Sequence, residues 1–309
     1  MRLGKATREA YGEALAELGA EDPRIVVLDA DLSKSTMTMQ FAKRFPDRFF
    51  NVGIAEANMV GIAAGMASCG KIPFVSSFAC FLMCKAFDQL RLGVAYSNLN
   101  VKVVVTHGGI SIGEDGVSQM SVEDVALACA LPGFTVVVPA DEEETRMAVR
   151  AAARHNGPVF IRTGRPKAPV VYEAGCDLTL GRAKVVRRGN DLTILANGLL
   201  VAEAIAAAEA LAARGVHARV LDVHTVKPLD EQTITKAAQE TGRVVVAEEH
   251  LLYGGLGSAV AMCLARTRPV PMRFVGLNDT YAESGKPADL MRKYGLTADR
   301  IVQAAEELL

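Results

Sequence analysis

The sequence carries almost no excess charge of either sign, because 34 lysine and arginine residues face 35 aspartate and glutamate residues. A nucleic acid partner needs a clear basic excess on the protein, so the composition argues against one. Long apolar runs are missing as well, since polar residues such as Lys85 and Asp88 interrupt the most hydrophobic region. A membrane-spanning helix needs about 18 apolar residues in succession, and we therefore expect no membrane partner.

Cysteine pairs with the short spacing of zinc sites are absent among the six cysteines. The first ten residues, MRLGKATREA, contain no apolar run of the secretory type. Both absences favour a protein of the reducing cytoplasm. A glycine fingerprint after the first expected strand is also missing, since Leu28-Asp29-Ala30-Asp31 stands there, and this argues against a plain nucleotide-binding protein.

Apolar residues, in contrast, are abundant and make up 50% of the chain, together with 27 glycines. This share lies at the upper end for a globular protein, and we expect other subunits to cover part of the surface. A length of 309 residues allows two cores at about 150 residues per domain.

Short β-branched runs alternate with longer helical patterns, which predicts two doubly wound α/β domains with mostly parallel sheets. In the first domain, residues 1–168, we expect strands at 24–28, 72–75, 101–106, 135–138 and 159–161, and helices at 55–67, 81–95, 121–130 and 142–154. Prolines and glycines then break the periodicity, so a linker is expected over 169–188. Residues 189–309 should form the second domain, with a separate layer of five strands.

One carboxylate and two aromatic side chains stand out as candidates for chemistry. Glu56 lies among apolar residues, and Phe78 and Phe81 follow about a strand and a turn after its helix. A carboxyl group in apolar surroundings can keep its proton near neutral pH and donate a hydrogen bond to a ring nitrogen. Two phenylalanines can stack on a flat ring. Taken alone, however, such a glutamate more often caps a helix and such phenylalanines more often belong to the core.

Eight motifs stand in a particular order along the chain: Thr7-Arg8 and residues 30–35, 51–59, 77–83, 106–116, 226–230, 247–250 and 254–258. Their order and spacing resemble the pyrimidine-binding and C-terminal domains of transketolase, and more closely the separately encoded C-terminal subunit of split bacterial transketolases. The resemblance covers essentially the whole chain. The motifs of the second domain are also similar to those of deoxyxylulose phosphate synthase and pyruvate dehydrogenase beta subunits, so they do not select a substrate.

The resemblance implies thiamine diphosphate-dependent transfer of a two-carbon ketol unit between ketose and aldose phosphates. Glu56 would be the catalytic residue that drives tautomerisation of the cofactor, and Ile54, Phe78 and Phe81 would complete the pyrimidine site. Guanidinium, hydroxyl and imidazole groups can bind a phosphate dianion through charge-assisted hydrogen bonds. The substrate-binding residues implied are Arg8, Ser35, His107, Asp115, Gln119 and Arg165.

The chain departs from the family pattern at two positions. Gln119 stands where the family has a histidine, and a glutamine can form hydrogen bonds but cannot shuttle a proton near neutral pH. Cys84 stands where transketolase has a tyrosine, which changes one wall of the cofactor pocket. We expect altered donor chemistry, and branched or sulfonated sugars stay open as substrates.

The family motif that holds the metal and the diphosphate is absent, namely Gly-Asp-Gly followed about 25 to 30 residues later by Asn. We therefore expect no metal ligand in this chain. The resemblance implies a separate N-terminal transketolase subunit that carries the diphosphate site and Mg²⁺ or Ca²⁺, with the active site formed where the two chains meet. The expected assembly is a heterotetramer that includes homodimer contacts.

Three alternatives remain open at this point. The chain could be a subunit similar to deoxyxylulose phosphate synthase, or one similar to a two-oxoacid dehydrogenase beta subunit, although the latter would not need the phosphate-binding residues. It could also be a catalytically degenerate subunit that is retained for assembly, an idea to which Gln119 lends some weight.

Overall fold

A computed structural model describes all 309 residues. The strands are β1 (Leu3–Ala6), β2 (Ile25–Asp29), β3 (Phe49–Asn51), β4 (Ile72–Ser76), β5 (Lys102–Val105), β6 (Thr135–Val137), β7 (Val159–Arg162), β8 (Lys167–Pro169), β9 (Lys184–Arg187), β10 (Leu192–Ala196), β11 (Ala218–Asp222), β12 (Thr225–Lys227), β13 (Val244–Leu251) and β14 (Met272–Leu277).

The helices are α1 (Thr7–Glu21), α2 (Ser33–Thr36), α3 (Met39–Arg44), α4 (Glu56–Ser68), α5 (Ala79–Lys85), α6 (Phe87–Gln89), α7 (Asp124–Ala130), α8 (Glu142–Arg154), α9 (Leu200–Ala212), α10 (Glu231–Thr241), α11 (Leu256–Thr267), α12 (Pro287–Lys293) and α13 (Ala298–Glu306). A 3₁₀ turn spans Pro46–Arg48 and a π-helical turn spans Leu90–Ala95. No helix combines the length and the apolar character needed to cross a bilayer.

The first sheet has seven strands in the order β12-β6-β7-β5-β4-β2-β3, and all neighbours are parallel except β12 and β6. Its central strands are buried along their whole length, as the runs IVVLD in β2 and VFIR in β7 illustrate. Continuous apolar runs of this kind are typical of parallel strands that helices cover on both faces. The α/β class expected from the sequence is confirmed.

The second sheet has five strands in the order β14-β13-β10-β11-β9, parallel except for β9 at the edge. A separate small ribbon pairs β1 with β8.

The two halves of the chain are more closely connected than a simple linker implies. The segment expected as a linker, 169–188, contains β9, which pairs with β11 of the second sheet. Conversely, β12 comes from the expected second domain and joins the first sheet beside β6, so the second half forms a five-stranded sheet as expected but is not confined to it. Strands of three or four residues are too short for periodicity to reveal, and their pairing is decided by the tertiary structure.

The largest apolar cluster supports the same conclusion, because it runs through both halves. It combines Leu28 and Val103 of the first sheet with Leu221 of the second sheet and Ile234 of α10. The junction between the halves is therefore part of the hydrophobic core.

Two helices differ from their expected bounds by more than one residue. The helix expected at 81–95 is interrupted at Ala86, where the backbone leaves the helical region (φ −116°, ψ 15°), and is divided into α5, α6 and the π-helical turn. The helix expected from residue 121 begins only at Asp124. The Ser121 carbonyl instead accepts a hydrogen bond from the Gly109 amide at 2.7 Å, so Ser121 belongs to the preceding loop.

Candidate active site

The candidate residues gather at the carboxyl ends of the parallel strands of the first sheet. Phe78 follows β4, His107 follows β5 and Arg165 follows β7, while Glu56 begins α4 after β3. In doubly wound sheets, ligands bind at this edge because the loops after neighbouring strands converge there.

Glu56 is the first residue of α4 and is only 2% exposed. Its Oε1 accepts a hydrogen bond from Ser77 Oγ at 3.1 Å, and its Oε2 lies 3.5 Å from Lys85 Nζ. The amino end of a helix favours a negative group at this position. The apolar surroundings expected from the sequence are corrected here, because the fold brings Ser77, which directly follows β4, and Lys85 of α5 to the carboxylate.

The aromatic residues form a continuous stack beside this carboxylate. The Phe78 and Phe81 rings are 5.5 Å apart with an interplanar angle of 15°, and His107 stacks on Phe78 at 3.8 Å and 24°. At the Phe81 end, the Lys85 ammonium lies over the ring, 4.4 Å from its centre. Lys85 therefore contacts both Glu56 and Phe81 and is itself about half exposed.

Arg8 connects two of the other candidate residues. Its Nη1 donates to the Ser35 carbonyl at 3.0 Å and to His107 Nε2 at 3.2 Å. A guanidinium group can only donate, so Nε2 accepts, and His107 Nδ1–H donates to Thr106 Oγ1 at 2.8 Å. Burial, together with the charges of Arg8 and Arg165, lowers the pKa of His107 to about 3, so this imidazole is neutral at pH 7.

Arg165 completes the basic cluster. Its Nη1 donates to the Ile112 carbonyl at 2.6 Å and lies 3.3 Å from Glu114 Oε2 and 3.6 Å from Asp115 Oδ1. Burial and the nearby charge of Arg165 lower the pKa of Arg8. In addition, Arg8 Nε is buried and has no hydrogen-bond partner. The cluster can therefore accept further negative charge.

Gln119 and Ile54 are placed differently from the other expected residues. The Gln119 carbonyl accepts from the Cys80 thiol at 3.2 Å, which brings this residue to the start of α5, and its side chain accepts from Ser118 Oγ. Ile54 lies in the loop before α4 and is 78% exposed, outside all the contacts described above.

Sequence reasoning missed the residue that orders the Ser35 segment. Asp29, buried at the end of β2, accepts from the Leu32 amide at 2.6 Å, from Thr36 Oγ1 at 2.6 Å and from Thr38 Oγ1 at 2.9 Å. Burial raises the pKa of this carboxyl group, while the hydrogen bonds oppose the shift. The available signal was an aspartate at the end of a strand followed by two nearby threonines.

Asp31, two residues further along the chain, is exposed and accepts a hydrogen bond from Asn51 Nδ2 at 2.9 Å.

Family models match both halves of the chain. Residues 4–170 match the pyrimidine binding domain of transketolase, and residues 181–301 match the transketolase C-terminal domain. The chain belongs to the transketolase family. The resemblance noted from the motifs is thereby confirmed.

The relatives include proteins of similar length. The 6-deoxy-6-sulfo-D-fructose transketolase subunit SqwH of Clostridium sp. (strain MSTE9) is 46% identical over 97% of this chain and 94% of its own length. A putative transketolase C-terminal section of Methanocaldococcus jannaschii is 44% identical over 98% of this chain and 96% of its own. Human transketolase is 42% identical over 98% of this chain, which corresponds to 49% of the human protein.

A solved structure extends the comparison. A split gene transketolase, described as an inactive beta4 tetramer, is 49% identical with a TM-score of 0.91, covering 99% of this chain and 98% of its own. The chain thus corresponds to the C-terminal subunit of a split transketolase, and to about half of a single-chain transketolase.

Proposed function

We propose that this transketolase subunit transfers a two-carbon ketol unit between ketose and aldose phosphates, using thiamine diphosphate that it shares with an N-terminal subunit. The observation that carries the proposal is the arrangement at one edge of the sheet. A buried carboxylate, an aromatic stack and an incompletely paired basic cluster lie side by side there.

The pyrimidine ring of thiamine diphosphate fits the residues that the chain supplies. Phe78 and Phe81 offer aromatic faces that can orient a flat ring. Lys85 Nζ contacts both the Glu56 carboxylate and the Phe81 ring, which supports Glu56 as the group that would hold a proton at a ring nitrogen. Exposed Ile54 would become covered where a second chain closes the site. When bound, the cofactor supplies the carbanion chemistry, whereas these residues bind it and set its protonation.

The basic cluster suits the anionic end of a sugar. Arg8 and Arg165 can each present two N–H groups to a phosphate, and the unpartnered Nε of Arg8 supports an additional acceptor there. Ser35, whose carbonyl accepts from Arg8 Nη1 at 3.0 Å, would add a hydroxyl group. The neutral His107 keeps Arg8 in place through Nε2, while Asp115 and Gln119 offer partners for hydroxyl or carbonyl oxygens.

The exposed face of α4 is our candidate surface for the N-terminal subunit. Gly61 and Gly65 lie one turn apart on this face, with no atom within 4 Å of where a Cβ would stand. Leu92 and Tyr96, on the neighbouring π-helical turn and just after it, are 51% and 87% exposed. Small residues allow two helices to approach closely, and exposed apolar side chains mark an interaction surface.

The N-terminal subunit would bring the diphosphate site and its Mg²⁺ or Ca²⁺. We propose a heterotetramer with two copies of each chain, in which copies of this chain also contact one another. The relative described as an inactive beta4 tetramer supports self-contact between such subunits.

The proposal is tested by mixing the purified chain with an N-terminal transketolase subunit, thiamine diphosphate and Mg²⁺. We expect ketol transfer from the mixture and none from either chain alone. In the same assembly, Glu56→Gln should lower kcat on the order of 100 to 10,000 fold, because it removes a proton donor to the ring, and complex formation should persist by size exclusion.

Wild-type turnover by the Glu56→Gln assembly would contradict the role of Glu56. Decarboxylation of two-oxoacids without ketol transfer would favour the dehydrogenase alternative, and an assembled but inert wild-type mixture would favour the degenerate subunit.

The charge on the donor sugar is a separate question, because SqwH is named for a sulfonated fructose. The substrate class is tested with donors that differ only in a 6-phosphate or a 6-sulfonate group. Arg8→Ala should raise KM for the preferred donor on the order of 10 to 100 fold, because a charge-assisted hydrogen bond is lost. An equal loss on an uncharged ketose would refute the anion-binding role.

A further inference from the structure

Several candidate substrate groups depend on one loop, residues 107–120, which we name the substrate loop. It begins at His107, carries Asp115 and Gln119, and offers the Ile112 carbonyl to Arg165 at 2.6 Å. Most of its first part is buried, including Gly109, Ile110 and Ser111. A shift of this loop would therefore move half of the proposed sugar-binding residues together, and with them the carbonyl that accepts from Arg165.

The loop rests on a carboxylate from the other half of the chain. Glu249 of β13 is 5% exposed, and its Oε1 accepts a hydrogen bond from the Ser111 amide at 2.7 Å. Gly109 has a positive φ of 83°, and a Cβ there would overlap with the Glu249 carboxylate. The glycine thus allows the backbone of the loop to lie directly against the carboxylate.

Neighbouring contacts hold Glu249 and the loop in one network. Arg162 Nη2 donates to the Glu249 carbonyl at 2.9 Å, and Arg162 Nε donates to Asp124 Oδ2 at 2.9 Å. The end of β13 is held as well, because the Leu251 amide donates to the Val122 carbonyl at 2.9 Å. The strand end is therefore placed by backbone contacts that do not involve the Glu249 side chain.

We propose that Glu249 is a positioning residue, through which the C-terminal half sets the geometry of the substrate loop and hence the affinity for the sugar. The identity of the ligand as a sugar rests on the proposed function. The positioning of the loop by Glu249 rests on the contacts alone. Glu249 is 5% exposed and its carboxylate lies against Gly109 and Ser111, so its direct contact is with the loop backbone. Its carboxylate gives the buried Ser111 N–H its acceptor, and without that acceptor the loop would open toward water to satisfy the amide.

A matched control lies one residue away. Glu248 is 2% exposed and also accepts two amide hydrogen bonds, from Leu256 and Gly257 at 2.7 Å each. These amides belong to the start of α11, so Glu248 stabilises a helix end and has no contact with the substrate loop. Glu248→Ala should therefore lower stability in a similar way but leave the loop in place.

Hydrogen exchange of the free chain tests the positioning without any assay of activity. Glu249→Ala should increase exchange of amides in residues 107–120 on the order of 10 fold, with Ser111 affected most, whereas Glu249→Gln retains an acceptor and should stay within about threefold of wild type. Glu248→Ala should change exchange at the start of α11 only. Unchanged exchange of residues 107–120 in Glu249→Ala, measured in protein that is still folded, would overturn the proposal.

Steady-state kinetics of the assembled enzyme provide the second test. Glu249→Ala should raise KM for the sugar donor on the order of 10 fold with kcat within about threefold of wild type, and Glu249→Gln should restore KM. A purely structural role predicts equal loss of kcat on all donors, in proportion to the unfolded fraction, with KM unchanged, and this outcome would also overturn the proposal. If the wild-type assembly shows no ketol transfer, the proposed function fails, while the exchange experiment still decides the role of Glu249.

Discussion

At the scale of single residues, the surroundings of Glu56 are the most informative feature of the site. The motif alone identified this glutamate, but the sequence contains no sign that Lys85 approaches it. The lysine stands at the end of α5, 29 positions further along the chain, and reaches Glu56 Oε2 because α4 and α5 pack side by side. Lys85 therefore contacts the two groups that the pyrimidine would use, namely the Glu56 carboxylate and the Phe81 ring.

We expect Lys85→Met to strengthen thiamine diphosphate binding to the assembled enzyme by about two- to fivefold. The cofactor ring must displace the ammonium from Phe81 and Glu56, and a half-exposed ion pair is worth up to about 1 kcal/mol. Titration calorimetry measures the affinity directly, and Lys71→Met, which removes an exposed lysine elsewhere, is the control. Weaker binding by Lys85→Met would mean that the lysine stays in the pocket and contacts the cofactor.

Residues such as Asp29 illustrate why positioning contacts escape a search for motifs. Its three hydrogen bonds join the end of β2 to the segment around α2, and they depend on the backbone geometry between these elements. The chemical groups at the ligand can be inferred from residue type, whereas the groups that hold them depend on backbone geometry.

At the scale of elements, α4 has a buried face and an exposed face. Glu56, Met59, Val60 and Ala63 are buried against the sheet side, while Gly61 and Gly65 are exposed. Glycine in the middle of a helix costs about 1 kcal/mol relative to alanine, so two exposed glycines without local need favour a close contact with another helix.

We expect Gly65→Leu to abolish assembly with the N-terminal subunit without unfolding the chain. A side chain at this position meets open space in the free chain, and leucine is the better helix former, so the melting temperature should be unchanged or higher. Ala206→Leu on the exposed face of α9 is the control. Analytical ultracentrifugation of the mixture measures assembly, and a normal complex with Gly65→Leu would rule out this face as the interface.

Among the elements, the bounds of the long periodic helix α8 were predicted to the residue. Asp141 caps this helix by accepting a hydrogen bond from the Glu144 amide. The break at Ala86 and the start of α7 were not predicted. An apolar periodicity indicates which face of a helix is buried, but it does not specify where a neighbouring loop interrupts the helix.

At the scale of the whole molecule, the junction of the two halves contains buried acidic groups. Glu144 of α8 meets Asp222 of β11, and Tyr172 OH donates to Asp222 Oδ2 at 2.6 Å. Burial and the charge of Asp222 raise the pKa of Glu144 well above its usual value, and burial raises that of Asp222 to about 6. The folded pair therefore keeps a proton that the unfolded chain has already released above about pH 4.

This arrangement predicts that the pair stabilises the fold at low pH and that its contribution is lost as the pH rises through the folded pKa values. Glu144→Gln supplies a permanent donor in place of the shared proton. Relative to wild type, its free energy of unfolding should improve as the pH rises from 5 to 8, by at most about 1.4 kcal/mol per pH unit per proton. Denaturant unfolding at several pH values measures the difference.

The comparison of wild type with Glu144→Gln also removes the opposite pH dependence of stability that two buried histidines cause. His107 and His224 have pKa values lowered by burial to about 3 and about 4, so their contribution to stability is lost as the pH falls below about 6.5. Both histidines are common to the two proteins and cancel in the difference. The exposed Glu173→Gln variant should follow the wild-type curve, and a parallel curve for Glu144→Gln would exclude the shared proton.

The sequence by itself determined the fold class, most element positions and the family, because apolar periodicity and motif spacing are properties of residue order. It also predicts Glu56, Phe78, Phe81 and the basic residues as the groups of the candidate site. Only the tertiary structure decided that β12 crosses to the first sheet, that Lys85 meets Glu56 and that Glu249 supports the substrate loop. These contacts join residues distant in the chain, and their formation depends on how complete elements pack rather than on any local pattern.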